Sequence, residues 1–302
     1  MNPAVDLACV ADIVEPTRKV RTTAEQFDPG GGGINVARVI GALGGEALAV
    51  LTAGGATGRF LCELLSEHGV ENVVVPVSGR TRICVAVHER ETGKEYRFVP
   101  EGPLMAEAEW RAVLDTLDSL DAAWLVASGT LPRGVPEDFY ARLASVAARR
   151  GWHFVLDVSG PALKHALGQG ITFVKPSLGE FEALLGRKII DPREQEAEAL
   201  ALARSGAAKM VVVSLGSEGA ILATHEKVLR LRAPQVVVRS GVGAGDGLVA
   251  GMTFGLARGL SEEEAFAWGI AAGTATVLSY GTAHLERADA EALYRRVREQ
   301  QR

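Results

Sequence analysis

Six short apolar runs rich in β-branched residues recur along this chain at 47–53, 72–77, 123–127, 153–157, 172–174 and 209–214. Runs with helical spacing fall between and beside them, at 35–43, 58–68, 107–119, 137–149, 177–185 and 193–205. Near-continuous apolar strands alternating with amphipathic helices predict a mostly parallel sheet covered on both faces, a three-layer α/β/α arrangement. In such sheets ligands sit beyond the carboxyl ends of the strands. Four informative loops fall there: Gly54-Gly55, Ser128-Gly129-Thr130, Lys175-Pro176-Ser177 and Ser214-Leu215-Gly216. One segment breaks the alternation. Residues 83–89 and 95–99 read as a hairpin turning at 90–94, and with 19–23 they predict a small separate sheet. Exposed sheet edges need a cover or a partner, so this sheet is expected to act as a lid over a cleft and as a dimer contact. The expected organisation is one domain over 1–302, with a lid formed by about 16–25 and 81–100.

The 302 residues suffice for a sizeable core. A net charge of −5 argues against nucleic acid or an anionic membrane as the partner. Cys9, Cys62 and Cys84 are odd in number and far apart, so neither a disulfide framework nor a metal cluster is expected, and a reducing cytoplasmic setting is the reading. The uncharged run 265–285 contains three glycines and follows the capped start Ser261-Glu262-Glu263-Glu264, which favours a buried helix over a membrane span. The N-terminus has no apolar signal-peptide region.

The chemistry concentrates in Gly241-Val242-Gly243-Ala244-Gly245-Asp246-Gly247. Small residues at the start of an apolar helix offer unpaired amides and a partial positive charge, an anion site. A carboxylate there would repel the anion unless it takes a proton from a hydroxyl that attacks a phosphoryl group held by those amides. Asp246 read simply as a helix cap is the competing interpretation. The phosphate-binding pattern GxxxxGK[ST] is absent, and the dinucleotide pattern GxGxxG fails because Asp246 stands where glycine is required. A second glycine run, Gly30-Gly31-Gly32-Gly33, precedes Asn35. It is compatible with a flexible loop, and also with backbone pressed against a polar ligand, Asn35 supplying a donor and an acceptor to a sugar hydroxyl.

Residues 31–54 (GGGINVARVIGALGGEALAVLTAG) and 240–253 (SGVGAGDGLVAGMT) resemble the two signature motifs of the ribokinase-like PfkB carbohydrate kinases, in the family's order and about two hundred residues apart. The resemblance covers nearly the whole chain. The segments FDPGGGGINVAR, AGGATG, YRFVPEG, SGTLPRGV, VKPS and VVVSLGSEGA are most similar to the family's minor 6-phosphofructokinase branch. It implies a ribokinase-like fold with a small β-sheet lid, and ATP-dependent phosphorylation of a phosphorylated ketohexose, fructose 6-phosphate first. 1-Phosphofructokinase and tagatose-6-phosphate kinase activities, and a catalytically weak regulatory binder, are the alternatives. It further implies Asp246 as general base, with the Gly243, Ala244 and Gly245 amides as anion hole. Asp6, Gly31, Gly32 and Asn35 are implied as sugar contacts, and Arg82, Lys19 and Thr130 as contacts to the substrate's own phosphate or its approach. Lys175, Ser177, Ser214, Gly216, Gly245 and Gly273 are implied for ATP, Glu180 for Mg²⁺, and a homodimer through the lid.

Three departures stand out. Ser177 replaces the asparagine of the family's NxxE motif, and Gly241 a small β-branched or hydroxyl residue. Family members also carry a strand before the residue matching Pro3, so a shortened or missing first central strand is expected, with Asp6 the residue that it would unsettle.

Overall fold

The computed structural model describes residues 1–279, 281 and 283–300. Its strands are β1 (Ala4–Ala11), β2 (Thr22–Gly30), β3 (Ala49–Ala53), β4 (Asn72–Pro76), β5 (Arg82–Glu89), β6 (Glu95–Phe98), β7 (Trp124–Ser128), β8 (His153–Asp157), β9 (Phe173–Val174), β10 (Met210–Ser214), β11 (Ala220–Thr224) and β12 (Val228–Leu231). The helices are α1 (Gly32–Ala42), α2 (Gly55–Glu67), α3 (Glu107–Ser119), α4 (Phe139–Arg150), α5 (Gly160–Ala166), α6 (Leu178–Leu185), α7 (Pro192–Arg204), α8 (Ala244–Ala257), α9 (Glu262–Thr276) and α10 (Arg287–Glu299).

The main sheet has the order β12-β11-β10-β9-β8-β7, parallel from β7 through β10 and antiparallel at β11 and β12. Successive residues of one strand serve opposite layers: Phe154 and Leu156 pack with α3, α4 and α7, while Val155 packs with α1, α8 and α9. Each fully buried aliphatic side chain of this kind contributes roughly 1.5–3 kcal/mol. The three-layer expectation holds. Parallel β3 and β4 form a separate two-stranded sheet, and α1 contacts both β3 and β7. The parallel layer is therefore in two pieces held by a shared helix.

The third sheet has the order β2-β1-β5-β6 and draws on both segments expected to form a lid. Its strands reach beyond those segments. β1 lies inside it, parallel to β5 and antiparallel to β2, and Lys19 lies before β2 in an exposed loop, not in a strand. Residues 4–11, apolar but for Asp6, form β1 without the alternation that would announce it. Asp6 is anchored on both sides, paired with Asp28 of β2 and Cys84 of β5.

Local chemistry sets the helix ends that matter. Ser177 and Glu180 close a capping box on α6, and Ser261 and Glu264 do so on α9. The apolar α8 and α9 cross with almost no side chain between them: a Cβ on Gly251 would sit 2.4 Å from the Trp268 carbonyl oxygen, and one on Gly255 2.8 Å from Ala265 Cα. Gly273 does the same from α9, where a Cβ would lie 2.8 Å from the Ala244 carbonyl oxygen at the start of α8. No described helix is long and apolar enough to cross a membrane, and all three cysteines are free thiols.

Gly251→Ala is expected to push α9 off α8 and destabilise the fold by about 1–3 kcal/mol, as overpacking does. Urea unfolding followed by circular dichroism measures this; an unchanged midpoint would refute the close helix contact.

Candidate active site

Two cavities of about 730 Å³ each flank the start of α8, a volume suited to small ligands. Gly32, Asp157, Gly245 and Asp246 line both, so the cavities meet at Asp246. The lid-side cavity is also lined by Asp6, Gly31, Asn35, Arg82 and Gly243. The sheet-side cavity is lined by Ser128, Thr130, Lys175, Ser177, Glu180 and Ser214.

Gly243 precedes α8 in a left-handed conformation (φ +86°), and the first intrahelical bond runs from Gly247 N to Gly243 O at 2.8 Å. The amides of Ala244, Gly245 and Asp246 thus precede the helical ladder, and the positive end of the helix faces the junction of the cavities. Asp246 is the third helical residue. Asn35 Nδ2 donates to its Oδ2 at 2.8 Å and Ser128 Oγ to its Oδ1 at 3.3 Å. A carboxylate bound this way is not a helix cap. Burial, then the nearby Asp157 charge, pushes its pKa up to about 7.

Lys175 is 4% exposed and its Nζ lies 3.1 Å from Asp157 Oδ1. Burial alone would lower the Lys175 pKa, but Asp157, Glu180 and Asp246 together hold it raised, so the ammonium stays charged. A Cβ on Gly245 would sit 3.5 Å from that ammonium, which places Lys175 beside the mouth of α8.

The first glycine run has three separate functions. A Cβ on Gly30 would overlap Asp6 Cγ at 2.3 Å. Gly31 has φ +120° and lies against Pro3. A Cβ on Gly32 would fall 2.0 Å from Ser128 Oγ. Asn35 is 4% exposed, and its Oδ1 is buried without a hydrogen-bond partner. An orphaned acceptor on the wall of a cavity is what a hydroxyl donor would satisfy.

Arg82 Nη1 donates to Pro100 O at 2.8 Å and Nη2 to Asn2 O at 2.7 Å. Asn2 Nδ2 in turn donates to Thr130 Oγ1 at 3.2 Å. Arg82 and Thr130 are thus joined through Asn2, although they line different cavities. Lys19 lines neither cavity. Gly216 opens a short 3-10 turn outside both linings, and Gly273 packs against the Ala244 carbonyl at the start of α8.

Glu180 lines the sheet-side cavity, but its Oε2 accepts from Ser177 N and Ser177 Oγ, each at 2.8 Å. The serine that replaces asparagine is therefore the cap of α6. No cluster of three or more His, Cys, Asp or Glu side chains suited to a metal exists among the described residues. Glu180, Asp157 and Ser177 do line one wall, which fits Mg²⁺ held mainly by water and nucleotide oxygens. Sequence reasoning missed Asp157, Ser128 and Asn2. The first two end strands at the carboxyl edge, which was the available signal; Asn2 had none.

A family model described as "pfkB family carbohydrate kinase" matches residues 1–288. The chain is 44% identical over 296 residues to the ATP-dependent 6-phosphofructokinase isozyme 2 of Mycobacterium tuberculosis, covering 97% of this chain and 87% of that one. It is 40% identical to the Escherichia coli protein of the same name, covering 97% and 96%. The crystal structure of Escherichia coli phosphofructokinase-2 in complex with fructose-6-phosphate superposes with a TM-score of 0.92 at 38% identity, over 99% of this chain and 97% of that one.

A native pKa of about 7 for Asp246, against an ordinary 3.8, has a definite sign. The native state holds its proton longer than the unfolded state, so stability is lost as pH rises from near 4 through about 7. Asp246→Asn is therefore expected to melt higher than wild type at pH 8, with the gap closing at pH 4. Differential scanning fluorimetry across that range checks it; a pH-independent gap would refute the buried, pH-responsive carboxylate.

Proposed function

The chain belongs to the pfkB family of carbohydrate kinases, and we propose that it transfers the γ-phosphoryl group of ATP to the C1 hydroxyl of fructose 6-phosphate. The observation that carries this reading is Asp246, a buried carboxylate with pKa near 7 at the junction of two ligand-sized cavities. A general base works best when its pKa lies near the operating pH.

The sugar phosphate occupies the lid-side cavity. Asp6 and the orphaned Asn35 Oδ1 receive its hydroxyl protons, with the Gly31 and Gly32 backbone alongside. Arg82 and Thr130 turn from their present partners to the 6-phosphate, for which the guanidinium offers a planar fork. Asp246 removes the C1 hydroxyl proton as that oxygen attacks the γ-phosphorus. The bond from the γ-phosphorus to the bridging oxygen breaks, and ADP leaves with the bond's electron pair. The amides of Gly243, Ala244 and Gly245 face the charge that develops in transfer. Lys175 adds a fixed positive charge beside them, and Ser177 and Ser214 line the nucleotide's side. Mg²⁺, held near Glu180 through water, supplies charge neutralisation when bound with ATP. The exposed Ile83 and Phe98 on the lid support a homodimer formed through that sheet. A regulatory binder without activity would need neither a pKa-tuned base nor the adjacent ammonium.

A coupled assay with ATP, Mg²⁺ and a panel of hexose phosphates tests the reading. Fructose 6-phosphate is expected to give the highest kcat/KM, and Asp246→Asn to lose about 10³-fold or more in kcat while still binding ATP. Preference for fructose 1-phosphate or tagatose 6-phosphate would reassign the substrate; absence of turnover with any of them would overturn the assignment. Sedimentation velocity is expected to show a dimer that Ile83→Asp with Phe98→Asp disrupts; an unaltered dimer would place the contact elsewhere.

A further inference from the structure

Ser128 was not assigned a part in the chemistry, yet it stands where two carboxylates come together. It ends β7 and lies opposite Asp157 in the register with β8. Its hydroxyl donates to Asp246 Oδ1 at 3.3 Å, and both Ser128 and Asp157 line the cavity into which Asp246 faces. A hydroxyl has one proton to give and can also accept. When Asp246 is ionised, Ser128 can direct its proton there. When Asp246 holds a proton, that proton can point to Ser128 Oγ.

Three further features keep this hydroxyl in place. The following peptide is pinned, with Tyr140 Oη donating to Gly129 O at 2.7 Å and Gly129 N donating to Asp157 O at 3.1 Å. Tyr140 is 1% exposed, so that anchor is shielded from water. On the other side, a Cβ at Gly32 would lie 2.0 Å from Ser128 Oγ and 3.0 Å from Asp246 Oδ1. The glycine thus leaves the space that the serine and the aspartate share. Asn35 already holds Oδ2 at 2.8 Å, so the two donors grip opposite oxygens of one carboxylate.

We propose that Ser128 is a positioning residue for the base: its hydroxyl, donated to one oxygen of Asp246 while Asn35 holds the other, fixes the orientation of Asp246 and governs when it is ionised. The inference rests on the reading of Asp246 as general base. The other groups that face Asp246 are Asp157 from β8, Lys175 before α6 and Asn35 from α1, with Asp6 across the lid-side cavity and Glu180 across the other. Among these, Asp157 raises the Asp246 pKa, while Asn35, Lys175 and Ser128 lower it.

Removing the hydroxyl should therefore move the acidic limb of the rate profile upward, toward alkaline pH. The test is the pH dependence of kcat/KM from pH 5.5 to 9.5 for wild type, Ser128→Ala, Ser128→Thr and Ser128→Cys, with Asp246→Asn as control. Ser128→Ala is expected to shift the limb up by roughly half to one pH unit, to lose about two- to fivefold in kcat at pH 7 as the ionised fraction falls, and to recover most of it at pH 9. KM for the sugar phosphate should stay within about twofold of wild type. Ser128→Thr, which keeps the hydroxyl, should restore the wild-type limb, and Ser128→Cys, a weaker donor, should fall between. An alanine variant that loses rate equally at every pH, or loses none, overturns the proposal. Should the alanine variant fail to fold, an unshifted limb in Ser128→Cys overturns it instead. Full activity in Asp246→Asn would refute the base itself, a failure distinct from that of Ser128.

Discussion

Burying a carboxylate is unfavourable unless donors replace the water it loses, and the fold of this chain is organised around doing so at Asp246. Its two oxygens take hydrogen bonds from Asn35 on α1 and Ser128 on β7. The ammonium of Lys175, beyond β9, is held close by Asp157 at the end of β8. Four elements far apart in sequence must converge before the acid can be tolerated. A base assembled in this way leaves Asp246 neither fully ionised nor fully protonated near pH 7. Ionisation is responsive there because the burial is almost, but not completely, compensated.

The position of that acid depends in turn on glycines. Helix α8 presents its N-terminus to the cavities only because it lies directly against α9. Gly247, Gly251 and Gly255 let the two backbones approach, and Gly273 leaves room for the Ala244 carbonyl at the critical end. A side chain at any of these would change the direction in which the first-turn amides point. The glycine content of the second motif is thus partly about anion binding and partly about helix packing. The two functions divide by position: Gly243 and Gly245 face the cavities, while the later glycines face α9.

That division explains what was legible beforehand. The parallel layer, its six strands and the helices between them were readable because continuous apolar runs and capping residues are local signals; β8 and α3 have the bounds expected of them. The convergence of Asp246, Asn35, Gly31, Gly32 and Lys175 followed from the two motifs. Less legible were residues whose importance arises only from pairing. Asp157 and Ser128 are ordinary strand endings until β7 and β8 align them. The helix-packing part of Gly273 is of the same kind, because a motif cannot say which way a helix face points. Lys19 lies in an exposed loop, where no periodicity fixes its direction. β1 was hidden for a different reason: its residues are apolar but for Asp6, with no alternation to mark a strand, and its pairing with β2 and β5 appears only in the fold.

The start of β5 and the loop after β7 are tied by one small cluster around Asn2. Arg82 at the start of β5 now donates to two backbone carbonyls, those of Pro100 and Asn2. Both acceptors are neutral. A phosphate dianion offers charge-assisted bonds roughly twice as strong as neutral ones, in a geometry that suits the guanidinium fork. Arg82 Nε is meanwhile buried without a partner, as is Asn2 Oδ1, so the present arrangement leaves a donor and an acceptor unsatisfied. Transfer of Arg82 to an incoming phosphate would relieve the first of these. It would also release the Asn2 carbonyl from Arg82, and so uncouple the start of β5 from the residue that now holds Thr130.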